Sequence, residues 1–163
     1  MAERYWTVTW DTLHRDTRTL AERLVNIGPF KGIVAVTRGG LIPAAIVARE
    51  LGVRLIETVS VVTYNEEQLG APVVVKAPAA AGTGAGFLVV DDLVDTGTTM
   101  RVVRDLLPDA HFACVYAKPK GRPLIDSFVT DVSQDTWILF PWDTALGFVP
   151  PLLRRSESPD GAG

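Results

Sequence analysis

Asp91 and Asp92 stand side by side at the end of the apolar run Phe87, Leu88, Val89 and Val90, and Asp95, Thr96, Gly97, Thr98 and Thr99 follow almost at once. The run suits a strand buried on both faces, and open α/β sheets place their ligands at the carboxyl ends of such strands. A turn rich in hydroxyls and backbone N–H groups, leading into a helix, suits a phosphate monoester. The adjacent carboxylates suit a sugar diol or a hydrated Mg2+. In a strictly extended backbone the two aspartates point to opposite sides, but the twist and turn at a strand end let both reach one ligand. The bland alternative is a solvated strand end; the apolar lead-in and the phosphate-compatible turn argue against it. The combination points to an enzyme that handles a phosphorylated ribose.

A second turn, Thr37, Arg38, Gly39 and Gly40, follows another short apolar run. Its glycines permit close approach of a ligand, and arginine offers a planar set of donors for phosphate oxygens. Alone it could be an ordinary loop; paired with 95–99 it suggests a reactant with phosphate at both ends. Neither turn is a Walker loop, because the glycine spacing and the Gly-Lys-Ser/Thr ending are missing. Lys118, in the basic stretch 118–122, is either a solvated surface charge or a donor to a carbonyl on a planar base. Trp137 is either a packing residue or a stacking face for that base. His14 and His111 have no metal-ligand company in the sequence, and Cys114 lies in an apolar segment where a buried thiol is the expected reading.

The elements that must position these groups follow from periodicity. Leu13, Thr17, Leu20, Leu24 and Ile27 recur at helical spacing and predict an amphipathic helix over 11–27. Strands are expected at 33–36, 53–62, 87–90 and 111–117, with helices over 41–51 and 99–107, the latter stopped before Pro108. Strand, turn and helix repeated around an apolar sheet predict a layered α/β fold with a mostly parallel central sheet flanked by helices. The Ala/Gly-rich stretch inside 65–86 has little to bury, so it reads as an inert linker or an active-site flap. The polar, Gly- and Pro-containing tail 154–163 is expected to fray, leaving one domain over 1–153.

At 163 residues with 47% apolar residues the chain can bury a real core, and a net charge of −3 argues against broad nucleic-acid binding. Its single cysteine excludes an internal disulfide. No apolar run reaches the roughly 18 residues of a membrane span, and the first residues lack a secretory signal, so a cytoplasmic protein is expected.

The runs Val34–Leu41, Ala48–Gly52, Val89–Gly97, Ala117–Pro119, Gly121–Leu124 and Gln134–Ile138 together resemble the bacterial xanthine-guanine branch of the type I phosphoribosyltransferases. The resemblance covers nearly all of Tyr5 to Pro151. It implies a type I phosphoribosyltransferase fold with a small hood near 132–153 over the base site. It also implies transfer of a phosphoribosyl group from phosphoribosyl pyrophosphate to guanine, xanthine or hypoxanthine. The implied phosphoribosyl pyrophosphate site is Arg38, Gly39, Asp91, Asp92, Leu93, Val94, Asp95, Thr96, Gly97, Thr98 and Thr99. In it Arg38 and Gly39 hold pyrophosphate, the paired aspartates engage ribose hydroxyls with Asp92 near Mg2+, and Thr96–Thr99 cradle the 5′-phosphate. On the base side Asp95 faces N7, Lys118 donates to O6, Trp137 stacks on the ring and the Ile138 backbone reads C2. Asp95, Asp91, Asp92 and Arg38 are thus the implied catalytic set. A non-proline cis peptide at Thr37–Arg38, a homotetramer and weak peripheral association with the cytoplasmic face of the inner membrane are implied too.

The chain departs from that pattern at two places. Between Tyr64 and Phe87 its only basic residue is Lys76, whereas the family flap carries several, including an arginine near 69–71 that contacts pyrophosphate, and Leu139 stands where close relatives have glutamate. A second reading is a non-catalytic sensor on the same fold that binds RNA or a protein partner. The acidic balance and the lack of an added DNA-binding helix pair weigh against it.

Overall fold

The computed structural model describes residues 4–63 and 70–143. The first part of the expected flap, the part of the expected hood beyond 143 and the 154–163 tail lie outside the described residues.

Six strands form the main sheet: β2 (Gly32–Thr37), β3 (Ile56–Thr63), β4 (Pro72–Lys76), β5 (Phe87–Val94), β6 (His111–Ala117) and β7 (Ser127–Asp131), in the spatial order β4-β3-β2-β5-β6-β7. Every pairing is parallel except that of β3 with β4. The apolar runs read from the sequence are the central strands, and period-two alternation divides their side chains between two cores. Ile33, Ala35, Leu88, Val90, Ala113 and Val115 face one side with α1 (Trp10–Val25) and α2 (Leu41–Leu51). Val34, Val36, Phe87, Val89, Phe112 and Cys114 face the other with α3 (Thr98–Leu106). From β2 the chain steps outward to β3 and then returns to place β5 on the other side of β2. The carboxyl ends of β2 and β5 therefore flank a topological switch point, where open α/β sheets leave a crevice.

Helix ends follow local chemistry. Thr9 caps α1 by accepting from the Thr12 N–H at 3.1 Å. The helix closes at Val25, short of the expected 27, as Ile27 and Gly28 donate back to the Leu24 carbonyl ahead of Pro29, which leaves Ile27 exposed. α2 spans 41–51 as expected and stops at Gly52, whose φ of 66° is the left-handed ending glycine favours.

The expected strand over 53–62 begins only at Ile56, because the Val53 N–H turns back to the Ala48 carbonyl. β5 runs on through Val94, so both aspartates belong to the strand itself. The Ala/Gly-rich stretch buries little, as expected, and is nevertheless tied to β3 and to the turn after α3 by backbone hydrogen bonds. Residues 72–76 form β4, and 79–81 form a single 3-10 turn with Ala81 buried in the α3-side core. The Ala80 N–H donates to Glu57 at 2.9 Å, and Asp109 donates to the Thr83 carbonyl at 3.0 Å. Small side chains are what allow this: a methyl at Gly84 would lie 2.7 Å from the Ala110 Cβ.

A second, two-stranded parallel sheet joins β1 (Arg4–Thr7) to β8 (Thr136–Leu139), with Tyr5 opposite Trp137 and Trp6 opposite Ile138. The contribution of the amino-terminal strand was not anticipated from the sequence. Tyr116 anchors this layer: its buried ring meets Trp6 edge-on at 5.2 Å and Phe140 at 6.0 Å, while its hydroxyl donates to Asp16 on α1 at 2.8 Å.

Candidate active site

The last turn of β5 carries the carboxylate pair. Asp91 is buried, in register with Cys114 on β6, and its Oδ1 accepts the Asp92 N–H at 2.9 Å. Asp92 is half-buried, and its Oδ1 accepts the Leu93 N–H at 2.7 Å. Burial, reinforced by the like charge of Asp92, pushes the Asp91 carboxyl well above the ordinary carboxylate range. Burial also raises Asp92, with its hydrogen bond to Asp91 pulling the other way. The two carboxylates therefore bear on one another.

The Thr37–Gly40 turn closes over this pair. The Thr37–Arg38 peptide is cis, as the resemblance implied, and the Thr37 hydroxyl is fixed by Ser60 at 2.6 Å and the Val59 carbonyl at 3.2 Å. A Cβ on Gly39 would run into the Asp92 carboxylate, and one on Gly40 into the Val90 and Val36 carbonyls. Glycine is needed here for close approach rather than for an unusual φ. Arg38, at the tip, is exposed.

Beyond β5, Gly97 adopts a φ of 84° and opens α3 with no side-chain cap, so the first N–H groups of the helix face outward unpaired by the helix itself. The Thr96 and Thr98 hydroxyls lie 3.0 Å apart at this mouth. The turn is backed by Gly121 and Leu124, which come too close to Val94 and Gly97 to admit a larger residue at either glycine. The phosphate-type turn and the 118–124 segment are therefore packed on one another.

Lys118 is not a surface charge. Its side chain is 6% exposed, and its ammonium donates to Asp95 Oδ2 at 3.1 Å. The other Asp95 oxygen accepts the Gln134 side-chain amide at 2.6 Å. In the sequence Gln134 stands out only as part of the Gln134–Ile138 family segment; a loop glutamine three residues before a tryptophan carries no local signature of its own. Trp137 is 50% exposed on β8 while Ile138 is buried beneath it. Leu139 is buried as well, so the residue at that position packs into the protein.

Among the described residues no cluster of three or more Asp, Glu, His or Cys could hold a metal alone. Two adjacent carboxylates, both raised by burial, nevertheless fit a hard divalent cation that takes its remaining oxygens from substrate and water.

Residues 9–148 match the phosphoribosyl transferase domain family. Over 153 residues the chain is 65% identical to a xanthine-guanine phosphoribosyltransferase of Gluconobacter oxydans (strain 621H), covering 92% of this chain and 91% of the relative. It is 54% identical over 160 residues to the enzyme of that name from Nitratidesulfovibrio vulgaris (strain DP4), covering 96% and 97%. Among solved structures, the purine phosphoribosyltransferase of Pyrococcus horikoshii Ot3 superposes with a TM-score of 0.77 at 29% identity, covering 90% of this chain and 99% of the other. The switch-point crevice, the paired strand carboxylates and the uncapped α3 terminus are the features such a domain needs, and the chain belongs to the phosphoribosyltransferase family.

Proposed function

We propose that the protein transfers the 5-phosphoribosyl group of phosphoribosyl pyrophosphate to N9 of guanine, xanthine or hypoxanthine, giving the nucleoside monophosphate and pyrophosphate. The observation that carries this reading is buried Lys118 set against Asp95 where β5 and β6 end. A donor beside an acceptor complements the O6 carbonyl and N7–H of a 6-oxopurine. Adenine carries an amino group at C6 and cannot accept from the lysine. The names of the relatives support the choice of bases, and they are transferases over nearly the whole chain, which favours catalysis over the non-catalytic sensor.

In this reading Thr96–Thr99 and the α3 terminus bind the 5′-phosphate, Arg38 and Gly39 take the pyrophosphate, and the β5 edge through Leu93 and Val94 lies along the sugar. Asp91 and Asp92 hold the ribose hydroxyls and would hold Mg2+, which when bound supplies positive charge to offset the departing pyrophosphate. The C1′–O bond breaks with its electron pair leaving on pyrophosphate, and the N9 lone pair forms the new bond. The carboxylates lie where positive charge develops on the sugar, and Asp95 receives the N7 proton. Trp137 stacks on the ring, and the Ile138 backbone faces C2. Closure of the 65–86 flap over C1′, with its 79–86 end held as a fixed base, keeps water from the reacting carbon.

A homotetramer working in the cytoplasm belongs to the same proposal. α2 is apolar on nearly every side and leaves Leu41 and Ile42 exposed, as β4 leaves Val73 and Val75. No helix among the described residues is long and apolar enough to cross a membrane. Peripheral association gains no support from α1, whose apolar side is used by the core.

The test is pyrophosphate release with Mg2+, phosphoribosyl pyrophosphate and each base in turn. Release is expected with the three 6-oxopurines and not with adenine. Equal turnover of adenine, or no release with any base, overturns the reading.

A further inference from the structure

We propose that Gln134 is a positioning residue for the reaction: it holds the Asp95 carboxylate as an aimed acceptor and couples the base-facing β8 layer to the turn after β5. The inference rests on the function proposed above, and its basis is geometric.

The Gln134 amide bridges two segments of the site. Its Oε1 accepts the Lys120 backbone N–H at 3.1 Å, and its Nε2 donates to Asp95 Oδ1 at 2.6 Å. Flipping the amide would set NH2 against an N–H and a carbonyl against a carboxylate, so the network itself assigns the orientation. Lys118 donates to the other Asp95 oxygen. Each oxygen is thus held by a different donor, and the carboxylate cannot rotate without losing one of them. This matters because the Asp95 side chain is 50% exposed, and water competes there for any single bond. Lys118 is in turn fixed through its backbone, which donates to Val94 and accepts from Gly121 and Arg122.

Gln134 also sits in the turn that starts β8. Ser133 and Thr136 close that turn through hydroxyls 2.6 Å apart, and Trp137 and Ile138 come next. A single amide therefore sets the distance between the acceptor for N7–H and the strand that carries the stacking face. Only a side chain with a donor at one end and an acceptor at the other can serve. Glutamate has the length but would place a second carboxylate on Asp95.

The test compares Gln134→Glu and Gln134→Ala with wild type in steady-state kinetics for both substrates. The expected result is a fall of about 10- to 100-fold in kcat/KM for guanine, as slight misplacement of a reacting group produces. The KM for phosphoribosyl pyrophosphate should stay within about twofold, because the Gln134 side chain bonds Asp95 and Lys120 and neither Thr96–Thr99 nor Arg38. Wild-type kinetics for guanine, or equal losses for both substrates, overturns the proposal. Should neither variant fold, Gln134 is a structural strut and the proposal fails as well. Absence of purine turnover in the wild type would fault the assigned reaction instead. In that case crystals of Gln134→Glu decide the positioning, with Asp95 displaced from Lys118 if the proposal holds and unmoved if it does not.

Discussion

Asp91 and Asp92 are joined by their mutual burial and raised together, and no cation pairs with either among the described residues. Asp95, one residue beyond the same strand, has both oxygens held, one by a lysine and one by a glutamine. The contrast separates a half of the site that its ligand must complete from a half assembled in advance. The first is unfavourable for the free protein, since like charges are held out of water. The second arranges its dipoles before any base arrives, so little reorganisation is left for the reaction. A sugar phosphate that brings its own cation suits the first half, and a neutral planar base suits the second.

The largest effect that would break the comparison is at Lys118. Lys118→Ala should lower kcat/KM for 6-oxopurines by about 100- to 1000-fold, the scale of losing one fixed donor in an enclosed site. Binding of phosphoribosyl pyrophosphate, measured by calorimetry, should change by less than about threefold. Equal losses in both would mean that the halves are not separable. Next comes Trp137→Ala, where losing a stacking face worth about 1–3 kcal/mol should raise the KM for guanine at least about fivefold. An unchanged KM would return Trp137 to a packing role.

A smaller effect with an informative sign is expected at Asp91. A carboxyl raised in the folded state contributes stability that is complete below the unfolded value of about 4 and is lost as pH rises toward the folded value. Asp91→Asn escapes that loss. Its melting temperature should match wild type in acid and exceed it at neutral pH, by about 2–4 °C for each kcal/mol relieved, while phosphoribosyl transfer falls. A variant less stable than wild type at pH 7 would show that the pair is not a source of repulsion. Smallest of all is hydrogen exchange at Ala80, Ala81, Gly84 and Phe87. Their amides are already bonded, so their protection should not change when Mg2+ and a substrate analogue bind, and any lid-like gain should fall outside 79–87.

Much of the molecule was legible from local pattern. The central strands announced themselves because burial on both faces demands continuous apolar runs, as in Val34–Val36 and Phe87–Val90. The carboxylate pair and the Gly97 turn could be read because their chemistry is contiguous in sequence. What remained hidden depends on contacts between distant segments. β1 is four residues long and becomes a strand only because Thr136–Leu139 lies beside it. The Ala/Gly-rich stretch looked loose because alanine and glycine bury little area, yet that smallness lets 79–86 settle against Ala110 and Glu57. Gln134 acquires meaning only through Asp95, thirty-nine positions away.

Cys114 lies opposite Asp91 across the β5–β6 pairing, fully buried, with its thiol pushed up in pKa by burial first and by the neighbouring carboxylates next. It is the only cysteine in the chain, so the protein carries one built-in chemical clock. An alkylating reagent can reach that sulfur only when the core on the α3 side of the sheet opens. The rate of modification in the native protein would therefore time the lifting of α3 from the sheet beneath the catalytic edge, and saturating ligand should slow it in proportion to how firmly the α3 terminus is held.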